Sequence, residues 1–245
     1  MKRKIGVAAL LGLLFAGALA TSALAQCGTG PMIVLNTNSF AYETGAAVGT
    51  PYKSPLGNNL TVVGLVQKFC SPFQDQNAAS ADTEYTVVFS GLVSKGTSTM
   101  LIGTTTIDVT DYTTGSFFIY RDGPPKNAPQ TAAAMPGSPP NATVPANYLD
   151  GTLILSGSLA NFELTVSQTG SNNPNGSYRG DATFTGGSLY PRVAGTGATV
   201  AQGNWCVFGC KPPAGGYSAQ LDGKFDTPVT GVRSSTWGSI KLLYR

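Results

Sequence analysis

The sequence predicts an all-β protein, an antiparallel β-sandwich of jelly-roll or Ig-like order with about ten strands. Three observations carry that expectation. Apolar and polar residues alternate with a period of two along many short segments. The gaps between those segments hold Gly, Asn, Pro and Ser. After residue 26 almost no stretch has the 3.6-residue period of a helix.

Expected strands cover 31–36, 60–69, 84–93, 99–110 and 116–121, then 151–158, 161–169, 178–186, 217–226 and 236–245. In the seventh of these, Phe162, Leu164 and Val166 fall on one face and Glu163, Thr165 and Ser167 on the other. That is the signature of a strand with one buried side. In the last, Ile240, Leu242 and Tyr244 share a face. Turn chemistry at 55–59, 169–177 and Gly186-Gly187 separates the runs. Residues 122–147 break the rhythm with seven prolines and no period. Proline has no amide to give a ladder, so this segment reads as a surface excursion from a single domain spanning 26–245. The alternative is a linker between two small domains.

The first 25 residues carry an export signal. A basic head (Lys2, Arg3, Lys4) precedes 16 apolar residues, Ile5 to Ala20, and the small-residue triplet Ala23-Leu24-Ala25. The apolar run is shorter than the roughly 20 residues of a spanning helix, so a cleaved signal peptide is expected, with Gln26 first in the mature chain. That implies a secreted, extracellular or periplasmic protein associated with the cell surface, without a membrane span after cleavage. Of 15 basic residues three leave with the signal, and the remaining 12 balance 12 acidic ones. No basic patch argues for nucleic acid. Charged residues make up 11% of the chain against a usual quarter, so Thr, Ser, Asn and Gly carry the wet face.

The chain has no histidine. His-based triads, imidazole relays and His metal sites are therefore excluded. No GxSxG, SxxK, phosphate-loop or calcium-loop motif occurs. Asp108 with Asp111, or Asp222 with Asp226, are the pairs able to lend oxygens to a hard cation, although such residues are more often solvated strand ends. The glutamates are Glu43, Glu84 and Glu163. A glycoside hydrolase working with carboxylates alone would need Glu84 and Glu163 to face one another. No catalytic residue, metal or cofactor is assigned.

The four cysteines are Cys27, Cys70, Cys206 and Cys210. An even count in an exported chain favours disulfides, and a four-cysteine zinc site needs two tight pairs where only Cys206 and Cys210 form one. A redox CxxC has two intervening residues, one fewer than here. The expected pairing is Cys27–Cys70 and Cys206–Cys210, with the longer loop contributing about 4 kcal/mol and the shorter about 2. Trp205 and Phe208 flank the second pair, and the KPPAGG run after Cys210 stiffens the loop. These two aromatics are the candidate ligand-binding residues, for a sugar face or a partner protein. The competing reading has Trp205 packed over the bridge as a plug on the core. Tyr112, Tyr120, Tyr148, Tyr178 and Tyr217 lie near strand ends, where half-wet tyrosines are expected.

The C-terminus alternates down to the penultimate Tyr244, with Gly231 upstream. This stretch of about 15 residues resembles the terminal strand of chaperone–usher pilus subunits, and the resemblance implies assembly by strand addition. Taken together, these features lead to the expectation of a non-catalytic surface or matrix protein acting through binding or assembly contacts. Glycans, other surface proteins, or further copies joined through edge strands are the expected partners. The alternatives are a carbohydrate-binding module, a filament subunit, and a carboxylate-only hydrolase.

Overall fold

A computed structural model describes residues 27, 30–80, 83–122, 148–149, 151–206 and 217–226. The signal peptide, residues 123–147, Phe208, Cys210 and the expected strand at 236–245 lie outside the described residues. Nine strands occur among the described residues: β1 Pro31–Thr44, β2 Asn59–Phe69, β3 Glu84–Ile102, β4 Thr105–Tyr112, β5 Gly115–Asp122, β6 Thr152–Thr169, β7 Asn175–Gly186, β8 Thr199–Trp205 and β9 Ala219–Asp226.

Several boundaries differ from expectation, each for a local reason. β1 continues to Thr44 because a register shift between Leu35 and Phe40 lets the chain rejoin both neighbours. The expected strand at 99–110 is two strands, since Gly103 takes φ +60° and turns the chain between Ile102 and Thr105. The expected strands at 151–158 and 161–169 are one, β6, which carries an irregularity between Ala160 and Glu163 with Asn161 at φ +50°. Such a bulge bends a strand without ending it.

All nine strands belong to one antiparallel sheet in the order β2-β1-β9-β8-β7-β6-β4-β3-β5, with further β2–β3 and β6–β5 pairings. Those extra pairings close the sheet on itself. The long β3 and β6 hold β5 between them along one half and β4 along the other. The expected all-β antiparallel chain with a disulfide is therefore present. Among the described residues, however, there is no separate second sheet, and consecutive strands are neighbours except β4 and β5, which lie end to end between β3 and β6. This is the order of an up-and-down barrel. The strands flanking residues 123–147, β5 and β6, pair with each other from Gly115↔Leu159 to Arg121↔Thr152.

The inward faces are filled with rings. Phe225 of β9 lies 5.0 Å from Phe117 of β5, 5.9 Å from Phe89 of β3 and 6.1 Å from Phe184 of β7. Phe162 stacks on Tyr178 at 5.6 Å and meets Tyr112 at 5.7 Å. These contacts span the ring from wall to wall, so the interior is a packed core. A second cluster, Phe40, Tyr42, Val63 and Val88 with Tyr148 and Tyr217, lies on the opposite face of β1–β3. Phe40 stacks on Tyr217 at 4.4 Å, and the Thr86 hydroxyl donates to the Tyr148 carbonyl at 2.7 Å. Both faces of these three strands are thus covered, which removes the alternation there. Cys27 is bridged to Cys70 just beyond the end of β2, as expected.

One end of the core is closed by the β1–β2 connection, residues 45–58, and Glu43 holds it. Its Oε1 accepts from the Tyr112 hydroxyl at 2.9 Å and the Tyr52 hydroxyl at 3.3 Å. Its Oε2 accepts from Ser54 Oγ at 2.9 Å and Asn58 Nδ2 at 2.8 Å. Asn58 also joins Ala46 through both its amide groups, at 2.8 Å each. Burial pushes the Tyr52 and Tyr112 hydroxyls well above the ordinary tyrosine range, and the nearby carboxylate reinforces this. Both therefore stay protonated donors. Replacing Glu43 by Ala strands four buried or half-buried donors, so Glu43→Ala is expected to lose about 2–4 kcal/mol in urea unfolding. Exposed Thr44→Ala should stay within about 0.5 kcal/mol of wild type. A Glu43→Ala loss as small as that of Thr44→Ala would show that the carboxylate does not hold the connection.

Candidate functional site

With the interior packed, ligand space lies outside. A groove of about 710 Å³ runs over the outer wall of β1, β2 and β6–β9. Strand register builds it. Glu163 of β6 sits across from Arg179 of β7, Arg179 from Gln202 of β8, Gln202 from Lys224 of β9, and Lys224 from Val34 of β1. A second row sets Thr165 across from Ser177 and Ser177 across from Asn204. These positions point outward because their neighbours Leu164, Tyr178, Ala201 and Phe225 fill the core.

Some of these groups are already engaged. Gln202 donates to Asp226, which also pairs with Lys224 at 3.0 Å. Asp222 accepts the Asn204 backbone amide at 3.0 Å and its carboxamide at 3.1 Å. The side chain thereby replaces a ladder bond where β8 and β9 part between Gln202↔Lys224 and Trp205↔Leu221. Arg179, Gln67 and Ser177 have no side-chain partner among the described residues and remain available to a ligand.

Behind the floor of the groove, on the inner side of the wall, lies an unusual feature. The Tyr178 hydroxyl is buried and has no hydrogen-bond partner among the described residues. It reaches the wall where β9 has glycine: a Cβ on Gly223 would lie 1.9 Å from that oxygen. Burial, with Asp222 nearby, pushes its pKa well up, so it is a protonated donor.

A second cleft of about 540 Å³ shares Val34 and Gln67 with the first, and is otherwise lined by Lys68, Phe69 and residues of the 74–79 loop. The two are adjacent through those residues. Gln74, Gln76 and Asn77 add carboxamides to those of Gln67, Gln202 and Asn204. The loop is held by Arg192, whose guanidinium grips the Asp75 carboxylate with both nitrogens and donates to the Pro72 carbonyl at 3.3 Å.

The residues singled out from sequence fall elsewhere. Trp205 is 1% exposed and stands edge-on to Tyr52 and Tyr178, at 5.3 and 6.2 Å. Its ring plugs the core and offers no face to a ligand, because β8 turns it inward between Asn204 and Cys206. Cys206 is disulfide-bonded; its expected partner, Cys210, lies outside the described residues, as does Phe208. Tyr112, Tyr148, Tyr178 and Tyr217, expected half-wet, are buried, and Tyr120 alone among the five is half-buried.

Asp108 and Asp111 project from opposite faces of β4, and Asp108 is enclosed beside Thr99 (2.6 Å) and Lys53 (3.8 Å). Asp222 and Asp226 share a face but are occupied as described. Among the described residues no three acidic or cysteine side chains gather as a metal site. Glu84 opens β3 opposite Asp122, whereas Glu163 lies 11 residues along β6 from Thr152, the partner of Arg121. That places the two glutamates on the order of 30 Å apart, against the roughly 5–10 Å a glycosidase pair requires. Charged side chains around mid-wall, Glu163, Arg179, Lys224 and Lys68, are the reverse of a lipid-facing band.

No protein-family model, no curated protein and no solved structure matches this chain.

The Arg192 grip makes the loop pH-sensitive. Hydrogen bonding from Arg192 lowers the Asp75 pKa to about 2, below the roughly 3.9 of an unfolded aspartate. The tether is therefore complete above pH ~4 and is lost as pH falls toward 2. Amide exchange over residues 72–79 should accelerate across that window, and Arg192→Ala should show the fast rate already at neutral pH. Equal rates in wild type and variant at neutral pH would contradict the tether.

Proposed function

We propose that this chain works outside the cytosol as a non-catalytic binding protein, and that its ligand is a hydroxyl-rich polar molecule, a carbohydrate, lying in the outer-wall groove. The observation that carries the reading is the wall beneath that groove, where β8 and β9 part and the Tyr178 hydroxyl lies buried without a partner on the inner side. A buried polar group left unpaired costs about 1–3 kcal/mol, and native proteins retain few of them without a use. Around it stand the unengaged Arg179, Gln67 and Ser177, and an arc of carboxamides. Carboxamides both donate and accept, which suits the paired hydroxyls of a sugar ring. The signal-like start and the disulfides support export.

Binding is favoured over catalysis by the wide separation of Glu84 and Glu163 and by the absence of histidine from the whole chain. It is favoured over an internal ligand by the ring-filled interior.

The test is a glycan array followed by calorimetry on the mature protein. Arg179→Ala and Gln67→Ala should each weaken binding about tenfold or more while leaving the melting temperature close to wild type, because both side chains are exposed. Tyr178→Phe should weaken binding and leave stability unchanged or raised, since it removes an unpaired hydroxyl. No glycan bound at millimolar concentration, or binding indifferent to all three substitutions, would defeat the reading.

A further inference from the structure

Most of the sheet is closed, but one stretch is not. Beyond Ser94, β3 runs past the end of β2, whose register with it stops at Asn59↔Val93. From Thr97 to Ile102 it pairs with β4 alone. Along its other side the backbone amides and carbonyls meet no strand among the described residues. The side chains there are apolar and exposed: Met100 51%, Leu101 70% and Ile102 57%. Met100 and Ile102 project from one face of the ribbon and Leu101 from the other.

Natural sheet edges are normally protected by charges, proline, bulges or a covering loop. The 45–58 connection reaches this one only at its start, where Ser54 meets Thr97 at 2.8 Å, and from Ser98 to Ile102 none of these devices occurs among the described residues. No charged residue and no proline occurs from Gly96 to Ile107, and the β3–β4 register is unbroken from Thr97↔Thr110 to Ile102↔Thr105.

We infer that this edge is an interface for a second copy of the chain, joined antiparallel through β3 Thr97–Ile102. Chemistry selects that occupant. Apolar side chains on both faces fit a sheet that continues sideways, since a neighbouring strand presents side chains to both faces at once. A lipid surface would accept the apolar side chains but not the unpaired backbone groups, which have no partner in hydrocarbon. Self-pairing about a two-fold axis brings a segment against itself, and like charges would then oppose each other; this segment has none.

A two-fold axis normal to the sheet requires facing residues on the same face. With the axis at Met100, Met100 faces its own copy, Thr99 faces Leu101 and Ser98 faces Ile102. Lys95 falls beyond the partner's Ile102, where β3 ends, clear of its own copy. The sheet then runs β6-β4-β3 in one copy and on through β3-β4-β6 in the other. So short a contact lies well below the roughly 1,200 Å² of a standard interface, and the association is weak and concentration-dependent.

Sedimentation equilibrium of the mature, oxidised protein from about 1 to 500 µM tests this. The expected result is a reversible monomer–dimer transition in the upper part of that range. Met100→Lys, which sets like charges face to face, should weaken the dimer about tenfold or more. Leu149→Lys alters another exposed apolar residue, next to Tyr148 at the Thr86 end of β3 and away from the edge, and should leave the transition unchanged. Met100→Cys should give a covalent dimer under mild oxidation, and Thr106→Cys on β4 should not.

A strictly monomeric protein up to 500 µM, a dimer unaffected by Met100→Lys, or equal cross-linking at both cysteine positions would overturn the inference. So would flotation with neutral phosphatidylcholine vesicles that is lost in Met100→Lys while no dimer forms, which would assign the edge to lipid.

Discussion

The pairing of β1 with β9 is the constraint on which the rest depends. It joins the first described strand to the last, from Pro31↔Asp226 to Ala41↔Ala219, and converts a meander into a ring. Closure satisfies the backbone of both terminal strands and fixes which face of every strand is inside. The inner face can then be filled by large rings, with Phe225 on β9 touching partners on three other strands. Function is thereby displaced outward, to the wall and to the ends.

A ring of this kind needs its ends closed, and the two kinds of closure differ. Trp205 and Tyr52 supply apolar bulk, standing edge-on at 5.3 Å. Glu43 supplies direction, because a carboxylate that accepts from four separate side chains fixes where each must be. Half-burying it is tolerable because each oxygen accepts from two donors. The Cys27–Cys70 bridge acts at a different level: it ties the chain ahead of β1 to the end of β2, and so limits the unfolded chain more than it shapes the core.

The alternation that makes the fold class legible arises directly from closure, as in Phe162, Leu164 and Val166 against Glu163, Thr165 and Ser167. Where alternation fails, closure is still the reason. The second half of β1 is illegible in the sequence because Phe40 and Tyr42 pack outside while Ala41 packs inside, so both faces are apolar. β8 is hidden by Trp205 and Cys206, whose chemistry points to a loop when the tryptophan is a core residue at a strand end. The Cys27–Cys70 pairing is readable from count and spacing. The groove is not, because it is assembled by register: Arg179, Gln202 and Lys224 are far apart in sequence and unremarkable singly. The one available clue is Gly223, a glycine inside a strand pattern, which marks a close approach by another side chain.

Closure is tested most directly by hydrogen exchange resolved at single amides in β1 and β9. A strand paired on both sides directs successive amides to opposite neighbours and protects them all; an edge strand protects every second one. The ring requires that Ile33, Val34 and Leu35, together with Lys224 and Phe225, all exchange as slowly as the amides of Val87 and Ile119 within the wall. Alternating fast and slow amides along β1 and β9 would mean that the ring is open, and the packed interior and outward-facing site would lose their foundation.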